Sequence, residues 1–129
     1  MRNVFLLSVL FASATCAGAF AADAPKADPV MGKRQFAPCS ACHTVEANGP
    51  NKIGPNLHGL FQRISGTKSD FKYSEAMKKA AIKWDPVILE KYITKPQAMV
   101  PGTKMPFLGV PDANARANIV AYLVEATNK

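Results

Sequence analysis

The chain has 129 residues, 48% hydrophobic and 19% charged, with 16 basic against 9 acidic side chains and a formal charge of +7. That length suits one small domain, its apolar content excludes a disordered chain, and no apolar run is long enough for several membrane spans. Three cysteines exclude a scaffold of several disulfides, because one bridge would leave a thiol over.

In chain order, Met1-Arg2-Asn3 puts a positive charge before the apolar run Val4 to Ala14, and a small-residue tract then ends in Ala19-Phe20-Ala21. This reads as a secretory signal peptide over residues 1–21, cleaved after Ala21 or one residue later, after Ala22. Removing 21 of the 129 residues, one of them basic, leaves a domain of 108 residues (22–129) with a charge of +6. Cys16 leaves with it, so Cys39 and Cys42 are the exported thiols. An uncleaved anchor over Val4 to Ala22 competes, since a helix of that length spans roughly 28 Å. The Ala- and Ser-rich run and the cleavage pattern favour removal, and export then places the domain in an oxidising compartment.

Asp28-Pro29 has a capping side chain followed by proline at the first helical position, which predicts a helix of about two turns that Pro38 ends. Ser74 predicts a cap on a short helix over Glu75 to Ala80. Asp85-Pro86 repeats the first grammar, with Leu89, Tyr92 and Ile93 forming a stripe that Pro96 stops. After Asp112, the positions Ile119, Tyr122, Leu123 and Ala126 carry the strongest helical periodicity in the chain. No segment alternates with period two for long enough to predict a strand. The expected class is all-α, with three to four short helices.

Two long irregular stretches remain, Thr44 to Lys72 and Pro96 to Pro111. Loops of that length are uncommon in a compact domain unless they wrap something. A few short helices also bury little against one another, so a staple is expected at the centre.

Cys39-Ser40-Ala41-Cys42-His43 is C-x-x-C-H, the attachment signature for c-type haem. Two thiols at that spacing can add to two vinyl groups of one porphyrin, and the next residue supplies an imidazole to the iron. Three other readings compete. A redox-active dithiol would want the pair after a strand and opening a helix. A zinc site would need His43 and His58 together with both thiols. A plain disulfide would leave the chain without a core. Haem invites a sixth ligand. Met105, in the rigid run Pro101 to Phe107, can present a thioether from a loop, whereas Met31 and Met77 fall on predicted helices, where methionine is usually core filler. His58 follows a turn and is expected to be an exposed histidine with its hydrogen bonds satisfied.

With C-S-A-C-H at 39–43, I-G-P-N-L-H-G at 53–59, P-G-T-K-M at 101–105 and A-N-I-V-A-Y-L at 117–123, the chain resembles the class I cytochromes c, the small mitochondrial-like type of bacterial periplasms. The resemblance runs from Gly32 to Lys129. It implies the small cytochrome c fold, wrapped around one covalently bound haem c. Cys39 and Cys42 would carry the thioether links, His43 the proximal bond to iron and Met105 the distal one. The Pro55 carbonyl would accept the other ring N–H of His43. Arg63, Tyr73, Trp84 and Thr103 would serve the haem propionates, and Tyr92 and Phe107 would wall the Met105 side. Gly32 and Phe36 would cross against Ile119 and Tyr122. The haem-free chain is expected to enclose a hollow lined by Phe36, Leu57, Trp84, Tyr92 and Phe107. Two departures stand out: Met77 replaces the Asn that many relatives have in a buried water network, and Pro106 directly follows Met105.

Ligation by His and Met closes the iron to substrates and favours one-electron exchange, with a raised potential. The resemblance therefore implies a soluble electron shuttle, not an enzyme, working as a monomer in the periplasm without stable membrane insertion. Its partners would be acidic docking surfaces on a cytochrome bc complex, a terminal oxidase or a photosynthetic reaction centre. Basic side chains would steer the encounter, with Lys52, Lys95 and Lys104 nearest the haem edge. The chain lacks the interleaved aromatics and basic stripes of a nucleic-acid binder. A haem enzyme or ligand sensor with Met105 displaced, acting on peroxide or a gas, is the alternative.

Overall fold

A computed structural model describes residues 26–128; the segment expected to be a signal peptide, its expected cleavage site and Cys16 lie outside the described residues. Among the described residues, six α-helices and one 3₁₀ turn follow in order: α1 (Pro29–Gln35), α2 (Ala37–Ser40), the 3₁₀ turn Leu60–Gln62, α3 (Glu75–Ala80), α4 (Pro86–Thr94), α5 (Pro96–Met99) and α6 (Ala113–Thr127). Among the described residues there is no strand, only an isolated antiparallel bridge between Ile64 and Lys83.

The four expected helices form where the caps direct them. Asp28 accepts from Val30 N at 2.8 Å, Ser74 from Met77 N at 3.1 Å, Asp85 from Ile88 N at 2.7 Å and Asp112 from Ala115 N at 2.6 Å. Each satisfies an amide that helix geometry leaves without a partner. The helix count is higher than three to four because of two single turns with a proline in the first turn, α2 with Pro38 second and α5 with Pro96 first. Pro38 and Pro96 do stop the preceding helices, but each then occupies the first turn of a new one, where its missing N–H costs nothing.

The first and last helices cross at Gly32, where a Cβ would overlap the Asn118 carbonyl and stand 2.9 Å from Tyr122 Cβ. Asp28 N reinforces the crossing by donating to Asn118 Oδ1 at 2.8 Å, and the rings of Phe36 and Tyr122 meet at 5.4 Å. Helix α4 packs on α6 as well, burying Leu89, Tyr92 and Ile93. The long loops are held by side chains. Asn51 accepts from Asn56 N and donates to the Asp70 carbonyl, both at 2.9 Å, while Ser65 Oγ donates to Met77 O and accepts from Ile82 N. Buried side chains such as Phe36, Leu60, Met77, Trp84, Tyr92, Ile119 and Leu123 line a central cavity instead of filling it.

Helix α3 ends on Ala81 at φ +45°, the one non-glycine residue with positive φ among those described. A Cβ makes that left-handed conformation costly, by about 1–2 kcal/mol. Ala81→Gly removes the strain but adds freedom to the unfolded chain. The expected balance is a gain of about 0.5–1 kcal/mol, a rise of a few degrees in Tm on thermal unfolding of the haem-loaded protein. A lowered Tm would show that Ala81 carries no strain.

Candidate functional site

The cavity has a volume of about 360 Å³, within the range of small-molecule and cofactor pockets. Cys39 and Cys42 reach its wall from α2 and the turn after it, both half-buried and free. Burial raises the Cys39 thiol above its ordinary pKa, so it stays protonated at neutral pH.

His43 lies on the same wall, with Nδ1 at 2.7 Å from the Pro55 carbonyl oxygen. A carbonyl only accepts, so Nδ1 carries the proton and Nε2 keeps its lone pair. Burial holds the ring below the usual imidazole range, the bond to Pro55 works against that, and the nearby charge of Lys52 adds to it. The ring is therefore neutral at neutral pH, the form in which an imidazole can bind a metal. Gly54 makes this placement available, because a Cβ there would clash with the ring, 2.8 Å from each nitrogen.

Met105 and Phe107 enter the cavity from the loop between α5 and α6. The Tyr92 hydroxyl donates to Met105 Sδ at 3.4 Å. Burial pushes the Tyr92 phenol above its ordinary pKa, partly offset by the neighbouring Thr103 hydroxyl, so Tyr92 remains a donor. Thr103 is itself buried, and its Oγ1 accepts from Met105 N at 3.3 Å. Trp84 stacks edge-on against Tyr92, with centroids 5.1 Å apart. Arg63 donates to the Asn56 carbonyl at 3.0 Å, and its charge opposes the burial that raises the Tyr73 phenol. Every residue expected at the site thus lines one cavity: Cys39, Cys42, His43, Pro55, Arg63, Tyr73, Trp84, Tyr92, Thr103, Met105 and Phe107.

A family model for cytochrome c matches residues 30–127. The chain belongs to the cytochrome c family. It is similar to cytochrome c2 of Rhodopila globiformis, 50% identical over 101 residues covering 78% of this chain and 94% of that protein. It is likewise 44% identical to cytochrome c2 of Rhodoblastus acidophilus over 96 residues (74% and 90%), and 42% identical to cytochrome c of Ginkgo biloba over 108 residues (83% and 96%). As a cytochrome c the protein is an electron carrier with covalently attached haem c, not an enzyme.

The donor set fits that group. Two thiols, a neutral imidazole with a free Nε2 and a thioether converge on one mostly apolar hollow, and Phe36, Leu57, Trp84, Tyr92 and Phe107 all line it. The competing zinc reading lacks ligands, since no group of three or more His, Cys, Asp or Glu side chains among the described residues could hold a metal ion. His58 stands apart from the cavity and is not the exposed, satisfied histidine expected. It is half-buried, and its buried Nδ1 has no hydrogen-bond partner among the described residues. Met31 is 40% exposed and so does not fill the core, whereas Met77 is buried and lines the cavity.

Lys104 borders the cavity as expected, but Lys52 and Lys95 do not. Lys52 donates to the Ser40 carbonyl at 2.7 Å. Lys72 borders it instead, with the exposed Ile53. Nothing in the local sequence marks Lys72, because its position depends on the path of a loop without regular structure.

Proposed function

We propose that this cytochrome c is a periplasmic one-electron shuttle, exported by cleavage after residue 21 and working between membrane redox complexes. Cys39 and Cys42 would hold the porphyrin as thioethers. His43, through Nε2, and Met105, through Sδ, would hold the iron. Arg63, Tyr73, Trp84 and Thr103 would receive the propionates. When bound, the haem supplies a single-electron couple on its iron. The chain's own residues tune it: the Pro55 carbonyl orients His43, the Tyr92 O–H fixes the thioether, and apolar side chains keep water out. The observation that carries this reading is the single cavity whose wall bears both thiols, the neutral imidazole and the hydrogen-bonded thioether. No helix among the described residues is long and apolar enough to cross a membrane.

The test is a redox titration with optical spectra on protein matured in a periplasm. Expected are one one-electron wave and the weak red absorption band of a thioether bound to ferric haem. Absence of the band together with turnover of peroxide overturns the shuttle in favour of haem enzymology. The charge gives a second expectation. Reduction by a partner with an acidic docking surface should slow steeply as ionic strength rises from about 0.01 to 0.15 M, because screening shortens from about 30 to 8 Å. A rate indifferent to salt would remove the steering role of the basic side chains.

A further inference from the structure

Met105 lies in the stretch Lys104 to Gly109, and among the described residues no backbone–backbone hydrogen bond begins or ends there. The last before it runs from Thr103 N to Val100 O at 3.0 Å, and the next after it from Val110 N to Ile93 O at 2.8 Å. Side chains hold the stretch in place. Thr103 Oγ1 accepts from Met105 N and Tyr92 reaches the sulfur. The third tie comes from α5, where Gln97 Nε2 donates to the carbonyl oxygens of both Thr103 and Met105, each at 3.1 Å. Both partners only accept, so the NH₂ end must face them, and its two protons match the two oxygens. Pro96 beside it is fully buried and anchors the turn that projects the carboxamide.

We propose that Gln97 is a positioning residue whose carboxamide clamps the Met105 loop over the cavity and sets how often the thioether leaves its place. The functional meaning rests on Met105 being the ligand proposed above; the clamp itself does not. Gln97 is exposed, so water competes for both carbonyls and the clamp is reversible. Two such bonds are expected to change loop opening about tenfold.

The test uses haem-loaded wild type, Gln97→Met, which keeps the length but has no donor, and Gln97→Glu, which turns a carboxylate toward two carbonyl oxygens. Two readouts are taken: amide hydrogen exchange at Met105, the N–H of the stretch that has an acceptor, and the saturating rate at which imidazole replaces the sulfur on ferric haem. Both should rise about tenfold in Gln97→Met and further in Gln97→Glu, with exchange in α6 unchanged. Loop exchange equal to wild type, or faster exchange spread evenly over the protein, overturns the clamp. If wild type lacks the thioether band, the ligand assignment fails, and the difference in loop exchange still decides whether Gln97 clamps.

Discussion

Met105→Ala is expected to abolish the red thioether band and to lower the reduction potential by a sizeable part of the roughly 0.8 V over which axial ligands set haem potentials. A thioether favours the ferrous state, so its loss favours the ferric one. Two local effects follow from the geometry. The Tyr92 hydroxyl, which donates to Met105 Sδ at 3.4 Å, loses its acceptor in a buried site, a cost of about 1–3 kcal/mol. The Cγ-to-Cε portion of the side chain also leaves a void on the cavity wall. Small exogenous ligands should then bind ferric protein without the delay that loop opening imposes on wild type. An unchanged spectrum and potential would mean that another group holds the iron, and Met77, the second thioether on the cavity wall, would be the first to test.

Signals confined to a few residues could be read from the sequence. The four caps at Asp28, Ser74, Asp85 and Asp112 are legible because a capping side chain bonds an amide two or three positions on. C-S-A-C-H at 39–43 is legible because its spacing reflects one covalent chemistry. Pro38 and Pro96 are ambiguous, since proline stops one helix and starts another by the same fixed φ. Chain path decided the rest. Gln97 bonds to carbonyls, which no residue type announces, and the burial of His58 Nδ1 depends on neighbours distant in sequence. The roles drawn from resemblance, such as Arg63 and Tyr73 at the propionates, could not have come from periodicity, because both residues sit in irregular chain.

Gly32→Ala sets two effects against each other, and their magnitudes decide the sign. Alanine in a helix interior is favoured over glycine by about 1 kcal/mol. The added Cβ, however, would overlap the Asn118 carbonyl and crowd Tyr122 Cβ, at 2.9 Å. The carbonyl belongs to the backbone of α6 and cannot swing aside, so α1 and α6 must move apart. Separation loosens the Phe36–Tyr122 ring contact and the bond from Asp28 N to Asn118 Oδ1, on top of an overpacking cost of about 1–3 kcal/mol. The net expectation is a loss of about 2 kcal/mol or more, a large part of the stability of a small domain, read as a lower urea midpoint for the haem-loaded protein. The displacement should also reach the site, because only Phe36 separates α1 from α2, the turn that carries Cys39. A shift in potential accompanying the loss of stability would show that the crossing helps to place the thiols and His43. An unchanged urea midpoint would mean that the helices do not approach so closely at residue 32.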